Sequence, residues 1–160
     1  IYSKPDVIKR FQYAINGEFA DNFTKFSTDI RYLKFFTEKQ SFNLRFFGGV
    51  FLYNNSEGDF FSFGLNRSSD YLFEQNLFGR SERSGLFSQQ FVVSDGGFKS
   101  FFKTPVFANQ MLLSANTSVS VWRWAEIYND LAMLKSKNQN ARFFYENGIN
   151  LSYLAFPPPT

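Results

Sequence analysis

The chain has 160 residues, a formal net charge of +3, and neither cysteine nor histidine. These absences exclude a disulfide framework, thiolate metal sites and every nucleophile–base pair that needs Cys or His, although composition leaves a Ser–Lys or carboxylate pair open. We therefore predict that the chain is not an enzyme and holds no catalytic residue, cofactor or metal. Its basic residues are scattered, which argues against nucleic-acid binding.

Aromatic residues dominate the composition, with 24 Phe, 8 Tyr and 2 Trp, yet the mean hydropathy is −0.28. The average is polar because Asn, Ser, Arg, Lys and Glu alternate with the apolar residues. No apolar run approaches the roughly 18 to 20 residues of a membrane helix. This combination is typical of a transmembrane β-barrel, with apolar side chains outward and polar ones inward. A soluble β-sandwich can alternate in the same way.

In the first half of the chain, apolar and polar residues alternate with a period of two, a pattern that predicts β-strands. In Phe11–Ala20, Thr24–Phe36 and Ser41–Tyr53, one face is apolar and the other carries polar or charged residues. The intervening segments, such as Asp21-Asn22, are rich in turn-forming residues. Each predicted strand is longer than the five or six residues usual in soluble sheets.

The second half predicts a short strand at Phe60–Asn66, a polar connection over 67–85, and a turn at Ser136–Asn140. Further strands are predicted at Leu86–Ser94, Gln110–Val121, Ala125–Lys135 and Ala141–Leu154. The connection 95–109 is longer than a periplasmic turn should be, and we expect Gly97–Phe102 to form or extend a strand. The predicted fold is an all-β, antiparallel transmembrane β-barrel. Residues 1–160 would form a single segment of about eight strands of a larger barrel.

Eight charged side chains lie inside the predicted long strands. A lipid-facing Lys or Arg at the bilayer midplane costs roughly 2 to 4 kcal/mol, so we expect these charges to face a wet lumen and to pair across strands. This predicted lumenal charge network could line a substrate path, but a self-satisfied network is the simpler interpretation. Its members are Glu18, Asp29, Arg31, Arg45, Glu126, Asp130, Arg142 and Glu146.

Aromatic residues near predicted strand ends are typical of the girdle that marks a membrane–water boundary. The predicted girdle consists of Phe35, Phe36, Trp122, Trp124, Phe143 and Phe144. The doublet Phe46-Phe47 is interpreted in the same way, as an anchor near a strand end. Alternatives are a stacking platform for carbohydrate or bases at the tryptophans, and core corners of a soluble fold at the phenylalanine doublets.

About two-thirds of the chain, from Phe46 to Tyr153, carries short blocks that together are specific. They are Phe46-Phe47-Gly48-Gly49-Val50-Phe51-Leu52-Tyr53-Asn54-Asn55, Asp70-Tyr71-Leu72-Phe73, Gly79-Arg80-Ser81-Glu82, Phe87-Ser88-Gln89-Gln90, Gly96-Gly97-Phe98-Lys99-Ser100, Ala108-Asn109-Gln110 and Trp122-Arg123-Trp124-Ala125-Glu126-Ile127-Tyr128. In these blocks the chain resembles the C-terminal barrel region of large surface-associated Bacteroidota proteins of the gluzincin-type (aminopeptidase-like) metallopeptidase family.

The resemblance implies a peptidase domain, with a His-Glu-x-x-His zinc site, N-terminal to this region. No such motif occurs in this chain, so no catalytic residue carries over. Barrels of this kind end in an aromatic strand, whereas this chain ends in Pro157-Pro158-Pro159-Thr160. We expect the sequence to be a fragment of a longer chain whose barrel is incomplete here.

The sequence thus predicts a protein of the Gram-negative outer membrane that anchors or scaffolds a periplasmic or surface domain, or a larger outer-membrane complex. Its expected partners are outer-membrane lipid and other outer-membrane or periplasmic subunits. One alternative is a transport or export barrel with a charged lumen. Another is a soluble β-sandwich that binds a ligand in an aromatic-lined pocket.

Overall fold

The computed structural model describes residues 10–37, 40–55, 61–66, 94–99, 106–122 and 125–151. Its eight strands are all antiparallel to their neighbours, and six of them have 10 to 15 residues. Their bounds are β1 Phe11–Ala20, β2 Phe23–Thr37, β3 Gln40–Asn54, β4 Phe63–Gly64, β5 Phe107–Ala108, β6 Met111–Trp122, β7 Ala125–Lys135 and β8 Arg142–Leu151.

The six long strands form one sheet in the order β1-β2-β3-β6-β7-β8. It is an up-and-down meander interrupted once, between β3 and β6. The described residues of that long excursion include the β4–β5 pair and the segment 94–99, which lie against one face of the sheet. Within the described residues the sheet is open, with β1 and β8 as its two edges. None of the described residues forms a helix long and apolar enough to cross a membrane.

The predicted all-β, antiparallel organisation is confirmed, and the long strands lie where alternation placed them. β1 and β7 have the predicted bounds, β2, β3 and β6 agree within one residue, and the turn before β8 is also present. β8 ends at Leu151, and residues 152–154 of its predicted span lie outside the described residues. These agreements arise because a half-buried strand repeats every two residues along its whole length.

Three predictions about the excursion fare differently. Among the described residues 61–66 of the predicted strand Phe60–Asn66, only Phe63–Gly64 is strand, because the backbone around Leu65 bonds to several segments rather than to one partner strand; residue 60 lies outside the described residues. Residues 97–99 of the expected strand Gly97–Phe102 are not strand, and residues 100–102 lie outside the described residues. The predicted strand Leu86–Ser94 also lies outside them, except for Ser94, which is not in a strand.

The two faces of the sheet differ in character. One face, called the apolar face, bears large side chains that are exposed along every long strand; Phe143, Leu52 and Ile149 are 76%, 68% and 67% exposed. Its residues include Phe11, Tyr13, Ile15, Phe19, Phe26, Tyr32, Phe46, Val50, Leu113, Val119, Ile127, Leu131 and Tyr145. The opposite face, called the covered face, packs against the excursion.

A hydrophobic cluster fills one half of the covered face. It joins side chains of the sheet to side chains of the excursion, namely Phe23, Phe47, Phe51, Leu112, Ala132 and Leu134 with Phe63, Leu65, Phe98 and Ala108. The Phe63 ring is fully buried and contacts the rings of Phe47 and Phe51, at centroid distances of 5.7 and 4.9 Å.

The doublet Phe46-Phe47 lies in the middle of β3, so its interpretation as an anchor near a strand end is wrong. Phe46 points to the apolar face and Phe47 into the hydrophobic cluster, which preserves the alternation. Two adjacent phenylalanines fit here because the excursion supplies a dry environment on the face opposite to the exposed one.

Candidate functional site

All eight residues of the predicted lumenal charge network lie on the covered face. Four of them, together with Asn116, form a row in which each residue is directly opposite the next on the neighbouring strand. This charge row runs across five strands as Arg31, Arg45, Asn116, Asp130 and Glu146. It marks the boundary between the hydrophobic cluster and the polar half of the covered face.

The first pair in the charge row places two like charges opposite each other, an arrangement that is destabilising unless compensated. Asp29 supplies the compensation. Its Oδ1 lies 2.9 Å from Arg31 Nε, and its Oδ2 lies 2.7 Å from Arg45 Nη2. Arg45 Nε also donates to Asp29 Oδ2 at 2.8 Å. One carboxylate therefore bridges the guanidinium groups of two strands.

The last pair in the charge row, Asp130 and Glu146, also places two like charges opposite each other, here two negative ones. Here the compensating group is Lys99, from the excursion: its Nζ lies 2.8 Å from Asp130 Oδ2, and its backbone N–H donates to Glu146 Oε1 at 2.5 Å. Lys99 Nζ also lies 4.2 Å from the centroid of the Tyr128 ring, a cation–π distance. Asp130 is fully buried, and its Oδ1 has no hydrogen-bond partner.

Asn116 connects the middle of the charge row to the excursion. Its Oδ1 accepts a hydrogen bond from Arg45 Nη1 at 3.2 Å, and its Nδ2 donates to the Gly96 carbonyl at 3.0 Å. The backbone at Gly97 approaches so closely that an added Cβ would lie 2.5 Å from Asn116 Oδ1, and its φ of +71° favours glycine in any case. The segment 94–99 is thus fitted against the charge row.

The remaining predicted network residues lie away from the charge row. Glu18 pairs with Lys25 on β2 at 3.1 Å, next to the hydrophobic cluster. Glu126 and Arg142 lie at opposite ends of the β7–β8 pair, because Glu126 begins β7 and Arg142 lies opposite Leu134 near its end. The structure therefore brings six of the eight predicted residues into three paired groups and leaves these two apart.

Three residues that complete the network were absent from the prediction. Lys25 falls within a predicted strand, on the same face as Asp29, so the alternation could have identified it. Asn116 is uncharged, and its role depends on its position between Arg45 and Asp130. Lys99 lies in a connection, where no periodic pattern indicates which strand residues it will contact.

The predicted girdle residues lie towards the two ends of the sheet. Phe35 and Phe36 at the end of β2 and Trp122 at the end of β6 are exposed at one end. Phe143 is exposed near the start of β8, at the other end, while its neighbour Phe144 turns to the covered face and packs against the hydrophobic cluster. Trp124 lies outside the described residues.

The charge row and its two compensating residues, Asp29 and Lys99, balance in charge. Three cations (Arg31, Arg45 and Lys99) lie against three carboxylates (Asp29, Asp130 and Glu146), so the ordinary charges of the group sum to zero. Among the described residues no cluster of three or more His, Cys, Asp or Glu side chains could hold a metal ion. The arrangement can fix the excursion to the sheet, and its exposed cations can attract an anion.

Comparison with known proteins gives no assignment: no protein-family model matches the chain, and no curated protein or solved structure matches it either. The resemblance to the barrel region of gluzincin-type metallopeptidases therefore stays a prediction. Several of the blocks that carry it, between residues 70 and 90, lie outside the described residues.

Proposed function

We propose that this chain forms part of the wall of a bacterial outer-membrane β-barrel that anchors or scaffolds a periplasmic or surface domain, or a larger outer-membrane complex. The observation that carries the proposal is the apolar face, whose large side chains are exposed along all six long strands. Monomeric soluble proteins rarely expose contiguous apolar patches larger than a few hundred Å². Hydrocarbon is the environment that such a face suits.

The distribution of charge supports the same proposal. Every charged residue of the predicted network lies on the covered face, opposite to the apolar one. A membrane barrel requires this division, because a charge that faces lipid costs several kcal/mol while a charge that faces an enclosed polar interior can be paired. The strands of 10 to 15 residues also reach the roughly 9 to 11 residues that a tilted membrane strand needs.

The open edges of the sheet require further strands in this proposal. β1 and β8 are the outermost strands of the sheet within the described residues, and open sheet edges are not tolerated in hydrocarbon. We propose that the missing strands come from other parts of a longer chain or from neighbouring outer-membrane subunits. In that assembly, lipid contacts the apolar face and protein contacts the two edges.

The contacts of the charge row support anchoring over the alternative of transport. The charge row is internally neutral, and the segment 94–99 lies directly on it, held by Asn116, Asp130 and Glu146. A transport path would instead need accessible charges along a continuous channel. Planar bilayer recordings test this point: we expect no stepwise conductance from the wild type, and a conductance that changes on Arg31→Ala or Arg45→Ala would favour transport.

The chain has no role in catalysis in this proposal. A peptidase domain, if the resemblance holds, would lie outside the chain and would carry its own zinc site. Reading the coding sequence upstream of Ile1 tests this link, because a His-Glu-x-x-His motif there would support it. Its absence would remove the peptidase association without affecting the membrane proposal.

Single-cysteine labelling tests the membrane proposal, because the chain has no cysteine of its own. Ile127 and Glu126 are adjacent on β7, with Ile127 on the apolar face and Glu126 on the covered face. The variants Ile127→Cys and Glu126→Cys should be labelled with a small fluorophore after the full chain is folded into vesicles. Brominated lipid should quench the label at position 127 and leave the label at position 126 nearly unaffected.

Two results would contradict the proposal. Equal quenching at both positions would mean that the two faces do not divide lipid from protein. A chain that stays a soluble monomer without detergent, and does not enter vesicles, would instead favour the soluble binder. Heat-modifiable mobility of the vesicle-bound chain provides an independent check that a β-barrel has formed.

A further inference from the structure

A pocket of about 260 Å³ opens on the covered face beside the charge row. The side chains that define its chemistry are Arg10, Gln12, Arg31, Arg45, Lys99 and Asn116. Four of these are cations and two are amides, and the described residues that line the pocket include no aspartate or glutamate. The pocket therefore offers hydrogen-bond donors and positive charge to whatever enters it.

The burial of the ion pairs explains how a neutral row can present a positive surface. The Arg31 and Lys99 side chains are 54% and 42% exposed, whereas their partners Asp29 and Asp130 are 17% and 0% exposed. Asp29 and Asp130 are thus less accessible than Arg31 and Lys99, whereas Arg45, at 14%, is as buried as Asp29. The lining of the pocket includes the cations but neither Asp29 nor Asp130.

We propose that this pocket binds a soluble oxyanion of the phosphate class. Asp29 occupies the Nε and Nη2 edge of both Arg31 and Arg45, so these two side chains contribute positive charge to the pocket, as Lys99 does. The guanidinium group of Arg10 is the planar donor group in the lining that can match two oxygens of a phosphate. Arg45 is already held by Asp29 and Asn116, so little side-chain freedom remains to be lost when an anion binds. The pocket and its cations are present whether or not the apolar face contacts lipid.

A soluble anion fits the geometry better than a lipid head group. The pocket lies on the covered face, and acyl chains would be accommodated by the opposite, apolar face. This choice rests on the proposed function: with lipid on the apolar face, a phosphate attached to a membrane lipid would have to pass the sheet to reach Arg31 and Arg45. The proposed ligand is therefore inorganic phosphate or the phosphate group of a small water-soluble molecule.

Calorimetric titration of the full chain, folded in non-ionic detergent micelles, tests this proposal. Inorganic phosphate should bind saturably, and chloride at the same ionic strength should not. Arg31→Gln should weaken phosphate binding roughly tenfold or more, because it removes one of the four cations that line the pocket and leaves Asp29 with less compensation. The matched control is Arg142→Gln, which removes the same charge from an exposed position at the far end of the covered face and should change the affinity by less than about twofold.

A second variant keeps the test valid if Arg31→Gln fails to fold. Gln12→Glu is nearly isosteric, lies opposite Arg31, and adds a negative charge to the pocket without removing an ion pair. It should also weaken phosphate binding. The proposal is overturned if phosphate does not bind saturably, if Arg142→Gln weakens binding as much as Arg31→Gln, or if micelles containing phosphatidic acid are bound while inorganic phosphate is not.

Discussion

Arg45 lies directly opposite Arg31 in the sheet, yet its Nη2 atom is 2.7 Å from Asp29, which lies diagonally across the strand pair. The same carboxylate contacts Arg31 at 2.9 Å. The β2–β3 pairing on the covered face therefore depends on one acidic side chain that separates two positive ones. Repulsion between the arginines would appear as soon as that acid is neutralised.

Asp29→Asn should therefore destabilise the protein by about 2 kcal/mol, since it leaves two opposed guanidinium groups without their shared carboxylate. Urea unfolding of the vesicle-folded chain measures this change in free energy. Glu126→Gln is the control, because it neutralises an acid on the same face away from the charge row; it should cost no more than about 0.5 kcal/mol. Equal losses in the two variants would mean that the bridge has no special role.

Lys99→Gln should destabilise the contact between the excursion and the sheet, because Asp130 and Glu146 would then face each other without a cation. We expect a loss of about 2 to 3 kcal/mol in the same unfolding assay. Adding Asp130→Asn should recover part of that loss, because it removes the uncompensated buried charge. A double variant that is less stable than Lys99→Gln alone would contradict this account.

Gly49→Ala should cost about 1 to 3 kcal/mol through overpacking. An added Cβ would lie 2.5 Å from two atoms of the Phe63 ring, which is fully buried between other rings and cannot easily move. Gly48→Ala provides a matched control on the adjacent residue, because its Cβ would point to the apolar face and meet only Leu113, at 3.4 Å. Gly48→Ala should change the free energy of unfolding by less than about 0.5 kcal/mol. A larger loss in Gly48→Ala than in Gly49→Ala would contradict the packing of the excursion against the covered face.

Leu131→Arg should reduce the stability of the vesicle-folded chain by about 2 to 4 kcal/mol, as expected for an arginine near the bilayer midplane. Leu131 is exposed in the middle of the apolar face. Leu52→Arg, close to the end of β3, should cost no more than about 1 kcal/mol, since the side chain can reach the interface. In a water-soluble sheet neither substitution would be costly, so two small and equal effects would count against the membrane proposal.

Much of this architecture was predictable because strand alternation is a local property. Along β1, from Phe11 to Ala20, successive side chains point to opposite faces of the sheet. The face on which Glu18 lies therefore follows from counting residues along the strand. The same reasoning placed Arg31, Arg45 and Asp130 together on one face. It could not select the partner of each charge, because a register between two strands is set by many side chains at once.

The sequence by itself determined the six long strands, their antiparallel class, and the separation of apolar from charged side chains, since each depends on residues that are neighbours in the chain. Only the tertiary structure decided that β6 follows β3 in the sheet, that Phe47 lies in a dry cluster while Phe46 is exposed, and that Lys99 neutralises Asp130. These features depend on where the excursion between β3 and β6 folds. Its contacts join residues far apart in the chain, and the alternation of neighbouring residues does not predict such contacts.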